Sequence, residues 1–539
     1  MASLLPEERF FRSGSSEEIW QHYCGFLDLS VSDFMEIQNY LLLAQMRRVA
    51  NTPVSRAIMN GAQPTSVDEF RQKVPLTTYT DYAPYLEGRQ EDGLAEKPYF
   101  WCHSAGRGGN FKWIPYTKEA FDYIARYAVA TGILSGADAK GEVNVTPGER
   151  VLVNLAPRPY ASGSLMYYLT EYFPYKSIPP TSQAESPDFR ERTAAAFRLA
   201  LEEGVDYIFS TSTVLGRIAE SFGEQGEKVD LRGQFGHPRV LRRLFWGWLR
   251  SRLARRQLMP KDLWSPKGLI TFGVDTAIYE KAIAKLWGRV PYQVYGTTEM
   301  IICAVQSWNK GGLIFLPDVA FWEFIPQEEW EKNAEDASYR PATVLLNELE
   351  VGKQYEVVYS HFHGMPLMRY RIGDVIKVVA LEQPEVGVKL PQVVFQARTS
   401  EIIDLSGLTQ IDERTLWQAI ADTGVKYEEW CARRGYRNDL PCLNLYLELK
   451  EERSAEDLEE MLEQKLRAAD ADFRDLESWL GQRRAVCVEF LSPGTFKLYY
   501  EEKLKEGATL AQLRPPHINP SESSVARLVQ LSNTLAGGA

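Results

Sequence analysis

The sequence predicts an α/β protein with a large amino-terminal body of several sheets and a small carboxy-terminal α+β cap. Three observations lead to this prediction. Short apolar runs alternate with amphipathic stretches from about residue 100 to 380, and the pattern of predicted strands and helices changes near residue 400. The 539 residues of the chain are 45% hydrophobic and 25% charged. Strand–helix alternation is typical of an α/β body with largely parallel sheets. A globular chain of this length accommodates two to four domains.

The elements of the body follow from local patterns. The first hundred residues have a helical pattern, broken by polar connections and by the proline-bearing stretch KVPLTTYTDYAPYL. Further along, we predict strands at RVLVNLAP, VDYIFSTS, LITFGVD and VPYQVYGTTE, and helices at DFRERTAAAFRLALEEG and TAIYEKAIAKLWG. In such a fold, ligand-binding groups collect in the loops that follow the strand ends.

The cap begins beyond VVFQARTSEIID, near residue 400. There we predict a strand at LNLYLELK, a helix at SAEDLEEMLEQKLRAA, a strand at RRAVCVEFLSPGTF and a further helix. Together these elements form an α+β unit of about 140 residues. We therefore expect two domains, over residues 1–397 and 398–539.

The composition limits the classes of protein and the kinds of partner that fit this sequence. The net charge of −11 argues against a generic nucleic-acid binder. The six cysteines form no C-x-x-C pair, which favours reduced thiols in a cytoplasmic protein. No apolar run is long enough for a membrane span, and the amino terminus lacks a signal pattern. We expect no nucleic-acid and no membrane partner, and the oligomeric state stays open.

One segment departs from the acidic average. PRVLRRLFWGWLRSRLARRQ, from Pro238 to Gln257, is basic and aromatic, and its apolar residues follow helical spacing. A membrane-surface helix is one interpretation. We expect instead an amphipathic helix that packs on the body with its arginines facing water.

A glycine-rich loop offers the first candidate site. Between Trp101 and Thr117, the stretch WCHSAGRGGNFKWIPYT holds the groups that a phosphate requires, which are a hydroxyl, two cations and flexible backbone: Ser104, Gly106, Arg107, Gly108, Gly109 and Lys112. The spacing fits neither G-x-x-x-x-G-K-[ST] nor G-x-G-x-x-G. A tight turn with two solvated charges is the alternative interpretation.

Two later loops add oxygen ligands. VYGTTEM places Thr297, Thr298 and Glu299 after a strand, where hydroxyls can bind phosphate and a carboxylate can hold Mg²⁺. RYRIGDVIKV places Gly373 and Asp374 at a predicted turn between two strand-like runs, where the carboxylate could accept hydrogen bonds from ribose hydroxyls. Each loop alone is equally compatible with an ordinary polar turn.

HFHG is a weaker signal. It puts His361 and His363 on one face of a predicted strand, as a metal site would require. With no third ligand nearby in sequence, we expect ordinary core or surface histidines.

The order of these loops resembles the adenylate-forming enzyme superfamily, and most closely the Gretchen Hagen 3 family of acyl acid–amido synthetases, named for auxin-responsive promoters. The resemblance extends over nearly the whole chain, through NTPVSRAI, KVPLTTYTDYAPYL, LAPRPYASG, PKDLWSPKGL, VYGTTE, PDVAFWEFIP, RYRIGD, SPGTF and QLRPPHINP. It implies the adenylate-forming fold with a mobile cap, and ATP and Mg²⁺ as cofactors.

The resemblance also implies residue roles. It assigns to nucleotide binding Ser104, Arg107, Gly108, Gly109, Gly273, Val274, Tyr295, Gly296, Thr297, Thr298, Asp374 and Arg398. Among these, Gly273 and Val274 would border the adenine, Asp374 would bind ribose, and Arg398 would lie near the hinge. Lys112 and Arg514 would act in catalysis, and so would Glu299, which would also hold Mg²⁺. Tyr160, Ser162 and Gly163 would contact the acyl substrate, although a plain strand-to-helix turn explains them equally well.

Two segments depart from the family pattern. In the phosphate loop, Gly106 replaces a threonine and Arg107 replaces the next hydroxyl residue, while His103 replaces a serine. In QLRPPHI, Arg514 and His517 stand where the family carries a lysine and then an arginine. A cation at the first of these positions would stabilise charge on the reacting phosphate when the cap closes. Alternatively, Arg514 anchors a proline-rich turn.

Three functions fit this pattern. The first is an ATP-dependent ligase that activates a carboxylic acid as acyl-AMP and joins it to an amine or amino acid. The second is an acyl-CoA ligase, or an acyltransferase that uses a pre-activated donor. The third is a nucleotide-binding scaffold that has lost adenylation, supported only by the altered phosphate loop and Arg514.

Overall fold

The computed structural model describes residues 5–103, 112–185, 189–212, 215, 237–272, 276–336, 338–398, 402–405, 410–437, 440–451, 453–469, 473, 485–505, 515 and 517–537. Within them, the helices are α1 (Pro6–Ser13), α2 (Ser16–Cys24), α3 (Val31–Val49), α4 (Pro53–Ile58), α5 (Val67–Lys73), α6 (Tyr79–Leu86), α7 (Lys118–Gly136), α8 (Ala161–Tyr172), α9 (Thr181–Ala184), α10 (Phe189–Glu203), α11 (Pro238–Leu253), α12 (Pro260–Leu263), α13 (Thr276–Trp287), α14 (Gln327–Glu335), α15 (Glu413–Asp422), α16 (Ala455–Ala469), α17 (Thr495–Lys505) and α18 (Glu522–Gly537).

The strands are β1 (Phe100–His103), β2 (Trp113–Tyr116), β3 (Arg150–Asn154), β4 (Lys176–Ile178), β5 (Tyr207–Thr211), β6 (Gly268–Phe272), β7 (Tyr292–Tyr295), β8 (Ala304–Gln306), β9 (Leu313–Phe315), β10 (Ala320–Pro326), β11 (Gln354–His361), β12 (Tyr370–Ala380), β13 (Gln392–Arg398), β14 (Ile402–Asp404), β15 (Gln410–Asp412), β16 (Tyr427–Arg437), β17 (Leu440–Leu449) and β18 (Val486–Leu491). Every strand and helix predicted above by its sequence is present, and α1 to α6 confirm the helical start of the chain.

One mixed sheet forms the centre of the body. Over the described residues it has eleven strands in the order β10-β11-β12-β13-β9-β8-β7-β6-β5-β3-β4, while β1 and β2 pair separately. Strands β4, β3, β5, β6 and β7 run parallel, with helices between consecutive strands in the chain. A large core cluster that extends in sequence from Ile19 to Val393 packs around this sheet.

The expectation of a largely parallel sheet is wrong for the second half of the body. Strands β8 to β13 pair antiparallel with their neighbours. Most of the connections there are short, and a short connection can only join antiparallel neighbours, because a parallel crossover needs a dozen or more residues. The body is therefore a parallel α/β half continued by an antiparallel half.

The carboxy-terminal elements have their own cores. Strands β16, β17 and β18 form a three-stranded sheet, and β14 pairs with β15. Two buried clusters pack on these elements, one from Ile403 to Ile518 and one from Cys431 to Leu531 in sequence. The division at residues 397 and 398 stays a prediction, which the separation of these clusters from the body core supports.

Helix α11 forms as predicted but packs differently. Its buried residues are Val240, Gly247 and Ser251, whereas the apolar side chains of Phe245 and Trp248 are 56% and 50% exposed. A Cβ on Gly247 would lie 2.6 Å from the Leu263 side chain, so this small-residue face approaches α12 closely. The expectation that the apolar stripe packs on the body is therefore wrong for Phe245 and Trp248, whereas Leu244 of the same stripe packs against a buried cluster of the body.

The arginines of α11 do not all face water either. Arg243 donates to the carbonyl oxygens of Ala200, at 3.0 Å, and Leu201, at the end of α10. This contact joins α11 to α10 through backbone acceptors. Over the described residues, no helix has the length and apolarity needed to cross a bilayer.

A buried ion pair anchors the strand β12. Arg369, directly before the strand, donates to both carboxylate oxygens of Glu323 on β10, at 3.0 and 2.9 Å. The Glu323 side chain is fully buried, and Thr343 donates to it at 2.7 Å. The backbone oxygen of Arg369 accepts from the Thr77 N–H at 2.9 Å, which ties the start of α6 to β12. The pair thus joins three distant parts of the chain.

We predict that Glu323→Gln lowers the free energy of unfolding of the body by about 3–5 kcal/mol, because it leaves the Arg369 cation buried without a countercharge. Urea denaturation followed by tryptophan fluorescence measures the change. The control is Glu350→Gln, which breaks the exposed Lys353–Glu350 pair at 2.9 Å. An equal effect of the two variants would contradict the prediction, because exposed pairs contribute little.

Candidate functional site

Two groups of candidate residues follow the carboxyl ends of parallel strands. Strand β3 ends at Asn154, shortly before Tyr160, and β7 ends at Tyr295, directly before the Y-G-T-T-E loop. The pair β1–β2 brackets the glycine-rich loop, with His103 at one end and Lys112 at the other. Loops at this edge of an α/β sheet form its usual ligand site.

The turn after β7 depends on backbone contacts. A Cβ on Gly296 would overlap the carbonyl oxygen of Ile301, so only glycine fits there. The Ile301 N–H donates to the Thr297 carbonyl at 2.7 Å, and Tyr116 Oη donates to the Thr298 carbonyl at 2.8 Å. The loop is therefore fixed from both sides, and the side chains of Thr297 and Thr298 stay half-buried.

Glu299 is held in this turn by its backbone and by its side chain. Its carbonyl accepts from His361 Nε2 at 2.9 Å, and its Oε1 accepts from Tyr370 Oη at 3.3 Å. Burial lowers the pKa of His361 to about 3, so the imidazole is neutral. Its Nε2–H then donates to Glu299, while Nδ1 accepts from the Leu367 N–H at 3.3 Å. A neutral histidine thus positions the carboxylate loop.

Lys112 provides the cation next to this carboxylate. Its Nζ lies 4.0 Å from Glu299 Oε1 and 5.6 Å from the centre of the Tyr79 ring. The Lys112 side chain is 45% exposed, whereas that of Glu299 is 7% exposed. The lysine therefore reaches inward from the rim of the site to a buried carboxylate.

Asp374 does not lie at a turn between two strands, and that prediction is wrong. Residues Tyr370–Ala380 form one continuous strand, and the register with β11 shifts opposite residues 372–374. Gly373 has φ +81°, which L-residues rarely adopt, and the strand forms a β-bulge there. The bulge explains why a strand contains the G-D pair.

The bulge places Asp374 against the end of β7. Asp374 is 1% exposed, and its Oδ2 accepts from Tyr295 Oη at 2.8 Å. The Tyr295 ring lies 5.9 Å from that of Phe395. In the ladder between β12 and β13, Asp374 pairs with Arg398. Tyr295 and Asp374, two of the residues that the resemblance assigns to nucleotide binding, are therefore in direct contact.

The predicted acyl contacts lie beside β1, the strand that precedes the glycine-rich loop in the chain. The ring of His103 lies 4.5 Å from that of Tyr160 and 4.9 Å from that of Trp113, and the His103 N–H donates to the Pro159 carbonyl at 3.1 Å. Tyr160 and Ser162 are half-buried at the start of α8. Since Trp113 follows Lys112 in the chain, the acyl and phosphate candidates adjoin.

Gly163 has a structural reason of its own. A Cβ at this position would overlap the backbone of Pro157 and Ala156. This close approach of α8 to the preceding turn requires glycine whether or not a substrate binds there.

The two histidines of HFHG do not share a strand face. Strand β11 ends at His361, and His363 has φ +56° and stacks on Tyr123 at 3.9 Å. His361 is fully buried, as the core interpretation expects. In the part of the chain that the structure describes, no group of three or more His, Cys, Asp or Glu side chains could hold a metal ion.

The remaining candidates cannot be placed. Ser104, Arg107, Gly108, Gly109, Gly273, Val274 and Arg514 lie outside the described residues, and Arg398 is described only through its backbone. Sequence reasoning missed Tyr370 and His361 as supports of Glu299, because contacts over 71 and 62 residues leave no local signal.

Family models match two parts of this chain: the GH3 family N-terminal domain over residues 24–216, and the GH3 family central domain over residues 313–398. A jasmonoyl–L-amino acid synthetase from Oryza sativa subsp. japonica, GH3.5, is 29% identical over 237 residues, which are 41% of this chain and only 39% of the relative. A probable indole-3-acetic acid-amido synthetase from Arabidopsis thaliana, GH3.1, is 24% identical over 456 residues, 74% of this chain and 72% of the relative.

Solved structures show the same fold. The acyl acid amido synthetase AtGH3.15 in complex with 2,4-DB superposes with a TM-score of 0.66 at 16% identity, covering 96% of this chain and 97% of that one. A 2-hydroxyisobutyryl-CoA ligase in the postadenylation state gives 0.63 at 14% identity, with 99% and 97% covered. The body thus has the adenylate-forming fold. Because the two family models together match more than half of the 539 residues of the chain, the chain belongs to the GH3 family.

Proposed function

We propose that this chain is an ATP-dependent ligase that activates a carboxylic acid as an acyl adenylate and transfers the acyl group to an amine or amino acid, forming an amide. The main observation is that Lys112 lies 4.0 Å from the buried carboxylate of Glu299, while Asp374 bonds to Tyr295, four residues before Glu299 in the chain. The GH3 relatives, named as amido synthetases for jasmonic and indole-3-acetic acid, support the same reaction.

The reaction needs two steps, because a carboxylate has no good leaving group. In the first, a carboxylate oxygen attacks the α-phosphorus of ATP, and pyrophosphate leaves. In the second, the amine attacks the acyl carbon, AMP leaves with the bonding electron pair, and the amine loses a proton. The protein positions the reactants and stabilises the charge that develops on phosphate. Among the residues that the structure describes, Lys112 provides a cation that could stabilise this charge.

The described residues fit a nucleotide-borne Mg²⁺. This ion prefers oxygen ligands, and it is usually bound through one or two carboxylates together with substrate phosphates. Glu299 offers one buried carboxylate, and no larger group of ligands surrounds it among the described residues. Glu299 would hold the ion, which neutralises charge on the phosphates.

Other residues receive roles in this proposal. Thr298 would contact the α-phosphate, Asp374 the ribose and Arg514 the reacting phosphate from the cap, residues 398–539. Tyr160 and Ser162 would contact the acid. The six cysteines are free, which is compatible with a cytoplasmic location. The fold is shared with a CoA ligase, so the acceptor assay below includes CoA.

We predict that the protein releases pyrophosphate from MgATP with at least one acid of a panel of carboxylic acids. Glu299→Gln should abolish this release, because the neutral amide cannot replace the carboxylate as a ligand of Mg²⁺. A coupled pyrophosphate assay measures the rate, and mass spectrometry of the products with amino acids or CoA identifies the acceptor. Glu149→Gln is the control, since Glu149 is also buried and pairs with a lysine, Lys267, but lies directly before β3, at the amino end of that strand. Full activity of Glu299→Gln would remove this residue from the metal site.

We further predict that Tyr295→Phe raises the KM for ATP several-fold, because Asp374 loses the hydroxyl that orients its carboxylate. Tyr359→Phe is the matched control: its hydroxyl is buried nearby and makes no hydrogen bond in the described structure. Steady-state kinetics at varied ATP test both variants. Equal KM values for the wild type and Tyr295→Phe would separate Asp374 from nucleotide binding.

Arg514→Ala should slow adenylate formation by a factor on the order of a hundred or more, because it removes a cation from the developing phosphate charge. Amine attack on supplied acyl adenylate should be less affected, since the cap is expected to reorient between steps. Arg514→Lys keeps the charge and should retain the first step. Single-turnover measurements separate the steps, and an unchanged Arg514→Ala rate would reduce Arg514 to a structural anchor.

A further inference from the structure

His517 lies between two carboxylates in the cap. Its Nε2 is 2.9 Å from a carboxylate oxygen of Glu429 on β16, and its Nδ1 contacts Glu413, the first residue of α15. The imidazole stacks on Trp430, with ring centres 4.4 Å apart and planes at 13°. Tyr500 of α17 donates to the other oxygen of Glu429 at 3.0 Å. We call these residues, Glu413, Glu429, Trp430, Tyr500 and His517, the histidine clamp.

The clamp keeps the imidazole charged. Burial alone would lower the pKa of His517, but hydrogen bonds and charges from Glu413 and Glu429 outweigh it and raise the pKa to about 10. In the other direction, burial would raise the pKa of Glu429, but His517 and Tyr500 bring it below its ordinary value. One cation thus lies between two carboxylates, and both of its ring nitrogens act as donors.

The backbone around His517 is pinned as well. Its carbonyl accepts from the Ala432 N–H at 2.6 Å, and the Asn519 N–H donates to the Ala432 carbonyl at 2.8 Å. Ile518, between them, is 1% exposed and forms a parallel bridge with Ala432. The Asn519 side chain donates to the carbonyl of Ile402 on β14 at 2.9 Å. Residues 517–519 are therefore attached both to the cap sheet and to the first strand after the body.

The start of α15, which holds Glu413, also contacts the body. Asp412, which caps α15, accepts from the Thr415 N–H at 2.7 Å and from the side chain of Gln396 on β13. Glu413 follows Asp412 directly, and Gln396 lies two residues before Arg398. A short series of hydrogen bonds thus connects His517, through the start of α15, to the last strand of the central sheet.

We propose that His517 is a positioning residue for acyl-adenylate formation: it fixes the chain that follows Arg514 to the cap sheet and to the helix that contacts β13. This inference rests on the proposed function. It also accounts for the departure noted in the sequence, because an imidazole that carries a positive charge at neutral pH takes the place of the arginine that the resemblance puts at this position.

The pH dependence has a defined sign. The pKa of His517 in the folded chain is about 10, above its ordinary value near 6.5. The clamp therefore contributes its full stabilisation below pH 6.5, loses it as the pH rises toward 10, and contributes nothing above. The melting-temperature difference between the wild type and His517→Gln should be largest near pH 6.5 and shrink toward pH 10.

The test uses the full-length chain and three variants. His517→Gln removes the charge, His517→Arg keeps it, and Arg437→Gln is the control, because Arg437 pairs with the buried carboxylate of Glu459 at the far end of β16. Single-turnover adenylate formation from acid and MgATP, and amine transfer from supplied acyl adenylate, are measured separately for each protein.

We expect His517→Gln to slow adenylate formation about tenfold or more, since small misplacements of a reacting group cost large factors in rate. Amine transfer should change less, His517→Arg should recover most of the first step, and Arg437→Gln should match the wild type. A His517→Gln protein that adenylates at the wild-type rate would overturn the proposal. So would equal slowing of both steps without recovery by arginine, or a melting difference that does not change between pH 6.5 and 10.

Failure of the proposed function would be detected in the wild type and not in the variants. If the wild type forms no acyl adenylate with any acid, the proposed function falls and the role of His517 falls with it. If the wild type is active and only the variants behave otherwise than expected, the inference about His517 alone is wrong.

Discussion

The buried pair of Arg369 and Glu323 is the constraint on which the site depends. Two charges taken out of water are tolerated only when each satisfies the other, and here the guanidinium meets both carboxylate oxygens. The pair fixes the start of β12 against β10. Tyr370, which bonds to Glu299, follows at once, and the bulge that turns Asp374 toward Tyr295 lies four residues further. The anchored strand thus carries the ribose candidate, Asp374, and supports the metal candidate, Glu299, through Tyr370.

The local sequence pattern was enough to predict the helices and strands of this fold. The pairing of the strands depends in addition on the length of the connections between them. The periodicity of RVLVNLAP or TAIYEKAIAKLWG specifies a strand or a helix by itself. The antiparallel half of the sheet, in contrast, follows from connection length, which the alternation pattern does not weigh. Helix α11 shows a second limit: Gly247 and Ser251 face inward because a close helix contact there admits only small side chains, whereas hydrophobicity alone pointed to Phe245 and Trp248.

The candidate site was predictable where chemistry is local to a loop. Lys112, Glu299 and Asp374 could be named as candidates because each belongs to a short motif in a predicted loop or turn. The contacts that hold them could not, because Tyr295 and Asp374 are 79 residues apart and His517 and Glu413 are 104 apart. Gly373 gave a misleading signal, since a glycine with positive φ serves a bulge as well as a turn.

The pairing of Asp374 with Arg398 has a mechanical consequence. The proposed nucleotide anchor and the proposed boundary of the cap occupy the same rung of one ladder. A body that rotates about a point displaces nearby atoms little and distant atoms in proportion to their radius. A cap that turns about residue 398 would therefore sweep its far surface through a long arc while the ribose anchor stays almost still, so the nucleotide can remain seated while different faces of the cap are brought to it.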